Sequence, residues 1–347
     1  MQTLYLPIPA PDTGFYQRAL DRQTQLTKPP GSLGMLEQLA VKLAALQRRD
    51  DPRLEHIHIS IFAADHGIAA EGVSAFPQAV TAEMVKNFAA GGAAVNVLAR
   101  QVKAHFEVVD VGLLKPVDLL NVIRQRAGAG TENFKLKPAM TEAQLEIALA
   151  AGRAAVSRAL AAQADMFIGG EMGIANTCSA SAMAAALLDV PADEITGAGT
   201  GLNDGQIRHK AAVIAQALQT HRQRLTTPLA VLQTLGGFEI AALVAAYISA
   251  AQQGLPVLVD GFISSVAALL AAKINPDCRA WFFYGHRSGE KGHQRVLDAL
   301  AAEPILQLGM RLGEASGAVM AVPVLQMACR LHNEMATFSQ ARITVGC

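Results

Sequence analysis

The residues able to do chemistry gather where short apolar runs stop. Asp65-His66-Gly67, Asp110-Val111-Gly112, Gly170-Glu171-Met172-Gly173, Asp260-Gly261 and Gly285-His286-Arg287-Ser288-Gly289 each follow such a run. Carboxylates and imidazoles can move protons. Arginine and serine can hold an anionic group, and glycine lets a ligand come close to the backbone. A single motif of this kind is also what a tight strand-to-helix turn needs. Five of them, bearing Asp, Glu, His, Arg and Ser, point to a site.

Two further stretches carry the same chemistry. Gly197-Ala198-Gly199-Thr200-Gly201 precedes Leu202-Asn203-Asp204-Gly205, and a helix is expected from about Gln206. Free N–H groups at a helix start bind anions, and Lys210, one turn on, could reach a phosphate. The loop is neither a Walker A motif nor GxGxxG, so no nucleotide cofactor follows from it. Arg311-Leu312-Gly313-Glu314-Ala315-Ser316-Gly317 opens the last long helical pattern. Glu314, flanked by small residues, either faces a flat ligand or simply complements the helix dipole; Glu171 is open to the same two readings. His66 and His286 could be acid–base groups or turn organisers. No GxSxG elbow supports a serine hydrolase. No HExxH motif and no second His/Cys cluster supports a metal, and Cys178, Cys278, Cys329 and Cys347 are scattered without a CxxC pair, so neither a metal nor a disulfide framework is expected.

These motifs must be held by a scaffold. The apolar runs at 56–63, 106–111, 166–170, 256–260 and 280–284 read as strands, and the alanine-rich patterns at 142–162, 207–222, 237–253 and 262–273 read as helices. Strand alternating with helix predicts an α/β fold: a Rossmann-like parallel sheet with helices on both faces. Ligands of such sheets bind beyond the carboxyl ends of the strands, where the motifs fall. Residues 11–50 read as helical with a break at Lys28-Pro29-Pro30-Gly31-Ser32, Ser32 capping a second helix over 33–48. Residues 313–338 read as a long helix interrupted at Pro323. A large α/β domain is therefore expected over 53–300, with a small helical domain built from 1–52 and 301–347 that completes the site.

Lys+Arg and Asp+Glu balance at 29 each, so no basic excess favours nucleic acid as a partner. Hydrophobic residues make up 51% of the chain, which excludes a disordered polymer. No window offers the roughly 18 uninterrupted apolar residues of a membrane span. The first residues show no basic stretch followed by an apolar one, so a cytoplasmic protein is expected.

Taken together, the motifs resemble the nicotinate-nucleotide–dimethylbenzimidazole phosphoribosyltransferase family. The likeness rests on Leu26-Thr27-Lys28-Pro29-Pro30-Gly31-Ser32-Leu33-Gly34, Ala64-Asp65-His66-Gly67 with Glu71-Gly72-Val73-Ser74-Ala75-Phe76-Pro77-Gln78, and Asn87-Phe88 with Gly91-Gly92-Ala93-Ala94. It continues through Gly130-Thr131-Glu132-Asn133, Gly170-Glu171-Met172-Gly173-Ile174-Ala175-Asn176-Thr177, Gly236-Gly237-Phe238-Glu239 and Leu258-Val259-Asp260-Gly261-Phe262, then Gly285-His286 with Glu290-Lys291-Gly292 and Arg311-Leu312-Gly313-Glu314. Ala175, Cys178 and Ala198 depart from the pattern, which often has Gly, Thr and Arg there.

The resemblance implies transfer of phosphoribose from nicotinate mononucleotide to N1 of a benzimidazole-type base, in the branch of cobalamin biosynthesis that builds the lower ligand. It implies Glu314 as general base and Glu171 as a carboxylate near the sugar. It puts phosphoribosyl and nicotinate contacts at Glu171, Gly173, Lys210, Ser288 and Arg311, phosphate at Gly199, Thr200 and Gly201, and an apolar azole slot at Phe76, Met84 and Leu312. No cofactor or metal is implied, and a homodimer is. A non-catalytic nucleotide-binding protein and a different phosphoribosyltransferase are the alternatives. A phosphoribosyltransferase that uses phosphoribosyl pyrophosphate would show an acidic pair after a strand, and none is seen.

Overall fold

In the computed structural model, which describes residues 1–343, seven strands form one sheet. They are β1 (Ile57–Ala64), β2 (His105–Gly112), β3 (Val122–Arg124), β4 (Met166–Met172), β5 (Val257–Val259), β6 (Phe282–His286) and β7 (Pro304–Leu306). The order is β3-β2-β1-β4-β5-β6-β7, and every pairing is parallel. The order reverses between β1 and β4, the kind of switch point at which open α/β sheets bind ligands.

Helices cover both faces, and neighbouring glycines of β4 show it. A Cβ on Gly169 would meet Leu243 and Tyr247 of the Phe238–Gln252 helix, while one on Gly170 would meet Ala315, just before the Ser316–Glu334 helix. Successive residues of a strand point to opposite faces. All eight residues of β1 are accordingly buried. The Phe238–Gln252 helix packs closely on the Glu142–Ala161 helix, where Gly152 leaves no room for a side chain: a Cβ there would lie 2.0 Å from the Ala242 carbonyl oxygen.

The chain ends meet. The Thr13–Gln25 helix packs on the Met35–Gln47 helix, which packs on the Ser316–Glu334 helix. Arg22 donates to the carbonyls of His332 and Asn333, and Leu26 bridges to Thr337. The sheet nevertheless extends past residue 300, because β7 pairs with β6; the boundary expected at 300 falls inside the sheet-bearing region.

Other expectations shift for local reasons. The second helix starts at Met35, capped by Gly34 at φ +55°, and not by Ser32, which lies in the preceding turn. Glu37 reaches back to accept from the Leu33 N–H and pairs with Lys28 at 2.8 Å. β6 begins two residues later than the expected run because Pro276–Trp281 forms a 3₁₀ turn. The last long helix starts at Ser316 and runs through Pro323 to Glu334 without the predicted interruption. Among the described residues no helix is long and apolar enough to cross a membrane. Cys178, Cys278 and Cys329 are free and buried, and Cys347 lies outside the described residues.

Candidate active site

A cavity of about 420 Å³ opens at the carboxyl end of the sheet. β4 delivers Glu171 and Gly173 to it, β5 ends in Asp260, and β6 delivers His286 and then Ser288. Arg311, Leu312 and Glu314 enter from the segment before the Ser316–Glu334 helix. Phe76 and Met84, from the segment after β1, form part of the wall, and Gly199 and Thr200 form an edge.

The backbone at Glu314 is what aims it. Gly313, Glu314 and Ala315 have φ of +79°, +60° and +62°. Only glycine takes this left-handed region without cost, so two consecutive non-glycine residues there store strain of order 1–3 kcal/mol each. The turn keeps Glu314 out of the helix and puts its side chain in the cavity. It also directs the Glu314 N–H toward Oε1 of Glu171, 3.4 Å away. The other oxygen of Glu171 accepts from the Asn176 amide.

Electrostatics follow from burial. Burial pushes the Glu314 carboxyl up to about 7, and the charge of Asp260 adds to the push. Burial also raises Glu171 well above the carboxylate range, against the Asn176 hydrogen bond and with the charges of Glu239 and Asp260. Asp260 accepts from the Ala318 N–H at 2.7 Å, holding the first turn of the long helix in place. His286 lies against that turn: a Cβ on Gly317 would sit 2.0 Å from its ring. Its Nε2 is 3.6 Å from Asp260 Oδ1. Glu171, Asp260 and Glu314 therefore line the cavity with no lysine or arginine paired to them among the described residues.

Arg311 and Glu290 also line the cavity, beside the small residues Gly199 and Thr200. Arg311 donates to the Gly199 carbonyl at 3.0 Å. Thr200 Oγ1 accepts from the Ala75 N–H at 3.1 Å and lies 3.2 Å from Ser74 Oγ, tying the glycine-rich loop to the segment bearing Phe76.

Most of the residues picked out from sequence meet here: Glu171, Glu314, Phe76, Met84, Gly173, Gly199, Thr200, Ser288, Arg311 and Leu312 all line the cavity. Gly201 and Lys210 do not. Gly201 sits on the exposed outer turn of the loop at φ +114°. Lys210 is fully buried behind the wall and donates to Thr177 Oγ1 at 2.8 Å, close beside Gly199. Burial lowers its proton affinity. At the helix start beside the glycine-rich loop, the Asn203 side chain accepts from the Gln206 N–H. The start that does face the cavity is that of the Asn176–Leu188 helix, through Asn176 and Thr177.

Asp260, His286, Asn176 and Thr177 line the cavity without having been singled out as site residues. Asp260 and His286 carried a signal as strand-end groups; Asn176 and Thr177 stand beside the Glu-Met-Gly motif. His66 belongs elsewhere. It is buried, 2.6 Å from Glu239 and 3.1 Å from Ser179 Oγ, and it organises the core under the turn after β1.

Comparisons with known proteins agree with this geometry. A family model described as phosphoribosyltransferase matches residues 8–343. The nicotinate-nucleotide–dimethylbenzimidazole phosphoribosyltransferase of Pseudomonas fluorescens (strain SBW25) is 57% identical over 97% of this chain and 96% of its own length. Its counterpart from Azotobacter vinelandii (strain DJ / ATCC BAA-1303) is 58% identical over 94% of this chain and 93% of its own. The crystal structure of the enzyme of that name from Thermus thermophilus superposes with a TM-score of 0.91 at 42% identity, over 96% of this chain and all of that one.

Proposed function

The chain belongs to this phosphoribosyltransferase family, and from that premise we propose that it transfers the phosphoribosyl group of nicotinate mononucleotide to 5,6-dimethylbenzimidazole. The products are α-ribazole 5′-phosphate and nicotinate, and the step serves lower-ligand synthesis for cobalamin. The observation that carries the reading is the polarity of the cavity. Buried carboxylates line it together with Arg311, the start of the Asn176–Leu188 helix and the small residues Gly199 and Thr200. A nicotinate nucleotide has the matching pattern, a pyridinium and C1′ at one end and a phosphate at the other.

Glu314 takes the N–H proton of the azole while the other ring nitrogen attacks C1′. A base near pH 7 is best matched to that task, and burial brings Glu314 to about 7. The C1′–N bond breaks with its electrons going to the pyridinium, so nicotinate leaves without an acid. Attack from the face opposite the leaving group turns a β nucleotide into an α one. Asp260 stabilises the positive charge that grows on the ribose, and Glu171, kept protonated by burial, offers a hydrogen bond beside it. Phosphate is held by Thr177, Gly199, Thr200, Ser288 and Arg311, with Lys210 supplying charge from behind Thr177. Phe76, Met84 and Leu312 form the slot for the azole. The helices of the two chain ends act as a small unit that presents Glu314. A homodimer in the cytoplasm completes the proposal, in keeping with the family.

The test is direct. Pure protein is mixed with nicotinate mononucleotide and dimethylbenzimidazole, and free nicotinate and the α-nucleotide are measured. Absence of both products would remove the proposal.

A further inference from the structure

At the amino ends of β1 and β2, the far end of the sheet from the cavity, three metal-ligating side chains meet. His58 and His105 are register partners on neighbouring parallel strands, and their rings stack with centroids 4.6 Å apart. A residue two positions along a strand returns to the same face. Glu107 therefore stands beside both, with its Oε1 3.5 Å from Nε2 of His58. One ligand atom from each residue lies within 4.8 Å of the other two.

His58 is the unusual member. It is 1% exposed, and neither ring nitrogen has a hydrogen-bond partner. A buried polar group left this way costs about 1–3 kcal/mol. The surroundings do not relieve it: the Phe167 ring lies on its other side, 6.2 Å away between centroids. Glu107, by contrast, is held firmly. It accepts from Ser60 Oγ at 2.7 Å and from Nε and Nη2 of Arg158 at 2.8 Å each. Groups that orient a ligand in this way are what metal sites place around their carboxylates.

We propose that His58, His105 and Glu107 form a site for a divalent transition-metal ion, with zinc the best match. Two imidazoles and one carboxylate are the donor set of zinc and its borderline neighbours; magnesium and calcium take oxygen alone. The ion would share Glu107 with Arg158, whose side chain is 31% exposed and can swing toward water. It would join β1 to β2 through side chains and give one ring nitrogen of His58 the partner it lacks. The far end of the sheet takes no part in the transfer reaction, so the role is structural.

The test uses the full chain, freed of metal by chelator and titrated with Zn²⁺ by calorimetry, with Co²⁺ as a spectroscopic stand-in. The expected result is one Zn²⁺ per chain, and for Co²⁺ the visible absorption of a four- or five-coordinate ion with nitrogen ligands. His105→Ala is at an exposed rim position, so the fold should tolerate it, and it should weaken Zn²⁺ binding at least roughly tenfold. Glu107→Gln should do the same while circular dichroism and transfer activity report an intact fold. Failure of the wild-type chain to take up a stoichiometric ion would overturn the proposal. So would equal Zn²⁺ affinity in the wild type and His105→Ala, which would place any bound ion elsewhere.

Discussion

Glu314 shows how a single backbone turn sets a chemical property. From sequence it could be read as a helix-start carboxylate, whose proton affinity the dipole would lower. The turn at Gly313, Glu314 and Ala315 moves the helix start to Ser316, and burial then acts without that opposition. The base must be ionised to accept the azole proton. Turnover at low substrate should therefore fall about tenfold per pH unit below about 7, and not only in the usual carboxylate range. A pH–rate profile of kcat/KM checks this; a flat profile down to pH 5 would remove Glu314 from the base role. Glu314→Gln should cost turnover roughly 10²–10⁴-fold and leave nucleotide affinity nearly unchanged. The same substitution should stabilise the fold. The carboxyl binds its proton more tightly in the fold than in the unfolded chain, so ionising it is a cost to folding. That cost is absent below about 4.5, grows as pH rises and is complete above about 7. At pH 8 it amounts to roughly 3 kcal/mol, so the Gln variant should melt higher than the wild type at pH 8 and equally at pH 4. Equal melting at both would mean that the carboxylate is solvated. Glu314 and Glu171 were legible as residue types at punctuated positions. The direction of the Glu314 shift was not, because it depends on where the helix begins, and sequence did not show that Lys210 lies buried behind Thr177 and not in the cavity wall.

Elements were legible in proportion to their length. The eight-residue β1 and β2 and the long alanine-rich helices announce themselves by composition and period. The three-residue β3 and β7 do not, whereas β5, equally short, lies within the continuous apolar run 256–260. The place of β3 and β7 in the sheet comes from tertiary pairing with β2 and β6. Helix starts were the weaker part, because more α-helices among the described residues start without a side-chain cap than with one, and the side-chain caps come from Asp12, Thr141, Asn203, Thr227 and Thr337. The Asn176–Leu188 helix is an instance. It is preceded by Ala175 at φ +77°, a conformation that suits glycine. The family pattern often has glycine at this position, and the backbone supplies the reason. Ala175→Gly should stabilise the chain by about 0.5–1 kcal/mol, the relief of left-handed strain less the added freedom of the unfolded chain. Urea denaturation at constant m-value measures it, and a destabilised variant would show that the alanine methyl packs usefully. The proposed azole slot is also a matter of elements, since Phe76 and Met84 follow β1 while Leu312 comes from the other end of the chain. Its apolar walls discriminate by shape, at about 1–3 kcal/mol per methylene, so several substituted benzimidazoles should react. Turnover of dimethylbenzimidazole alone would require a polar readout in that slot.

At the scale of the molecule the parallel sheet has two chemically different ends. The carboxyl ends hold the cavity with its buried carboxylates, and the amino ends of β1 and β2 hold His58, His105 and Glu107. His58 and Ala64 bracket β1, and at about 3.3 Å per residue the two ends are roughly 20 Å apart. This separation decides how the transfer reaction should respond to metal. Departure of a pyridinium needs no Lewis acid, because the leaving group already carries the positive charge that bond cleavage neutralises. No protein group in the proposed mechanism waits for a metal to lower its proton affinity. The distal ion would act on the cavity only through its field. At roughly 20 Å, a divalent ion in a medium of effective dielectric 20 acts on a unit charge with about 2 kcal/mol, and at physiological salt, with a Debye length of about 8 Å, screening brings this below about 1 kcal/mol. Turnover in EDTA should therefore stay within roughly a factor of five of turnover in Zn²⁺. Thermal stability should respond, because an ion that binds the folded chain alone stabilises it by mass action. The two readouts, taken on one preparation with and without chelator, separate the ends of the sheet. Collapse of turnover in EDTA with recovery on added magnesium would place a metal in the cavity and overturn the unassisted mechanism. An unchanged melting temperature with unchanged turnover would leave that mechanism standing and count against the zinc site alone.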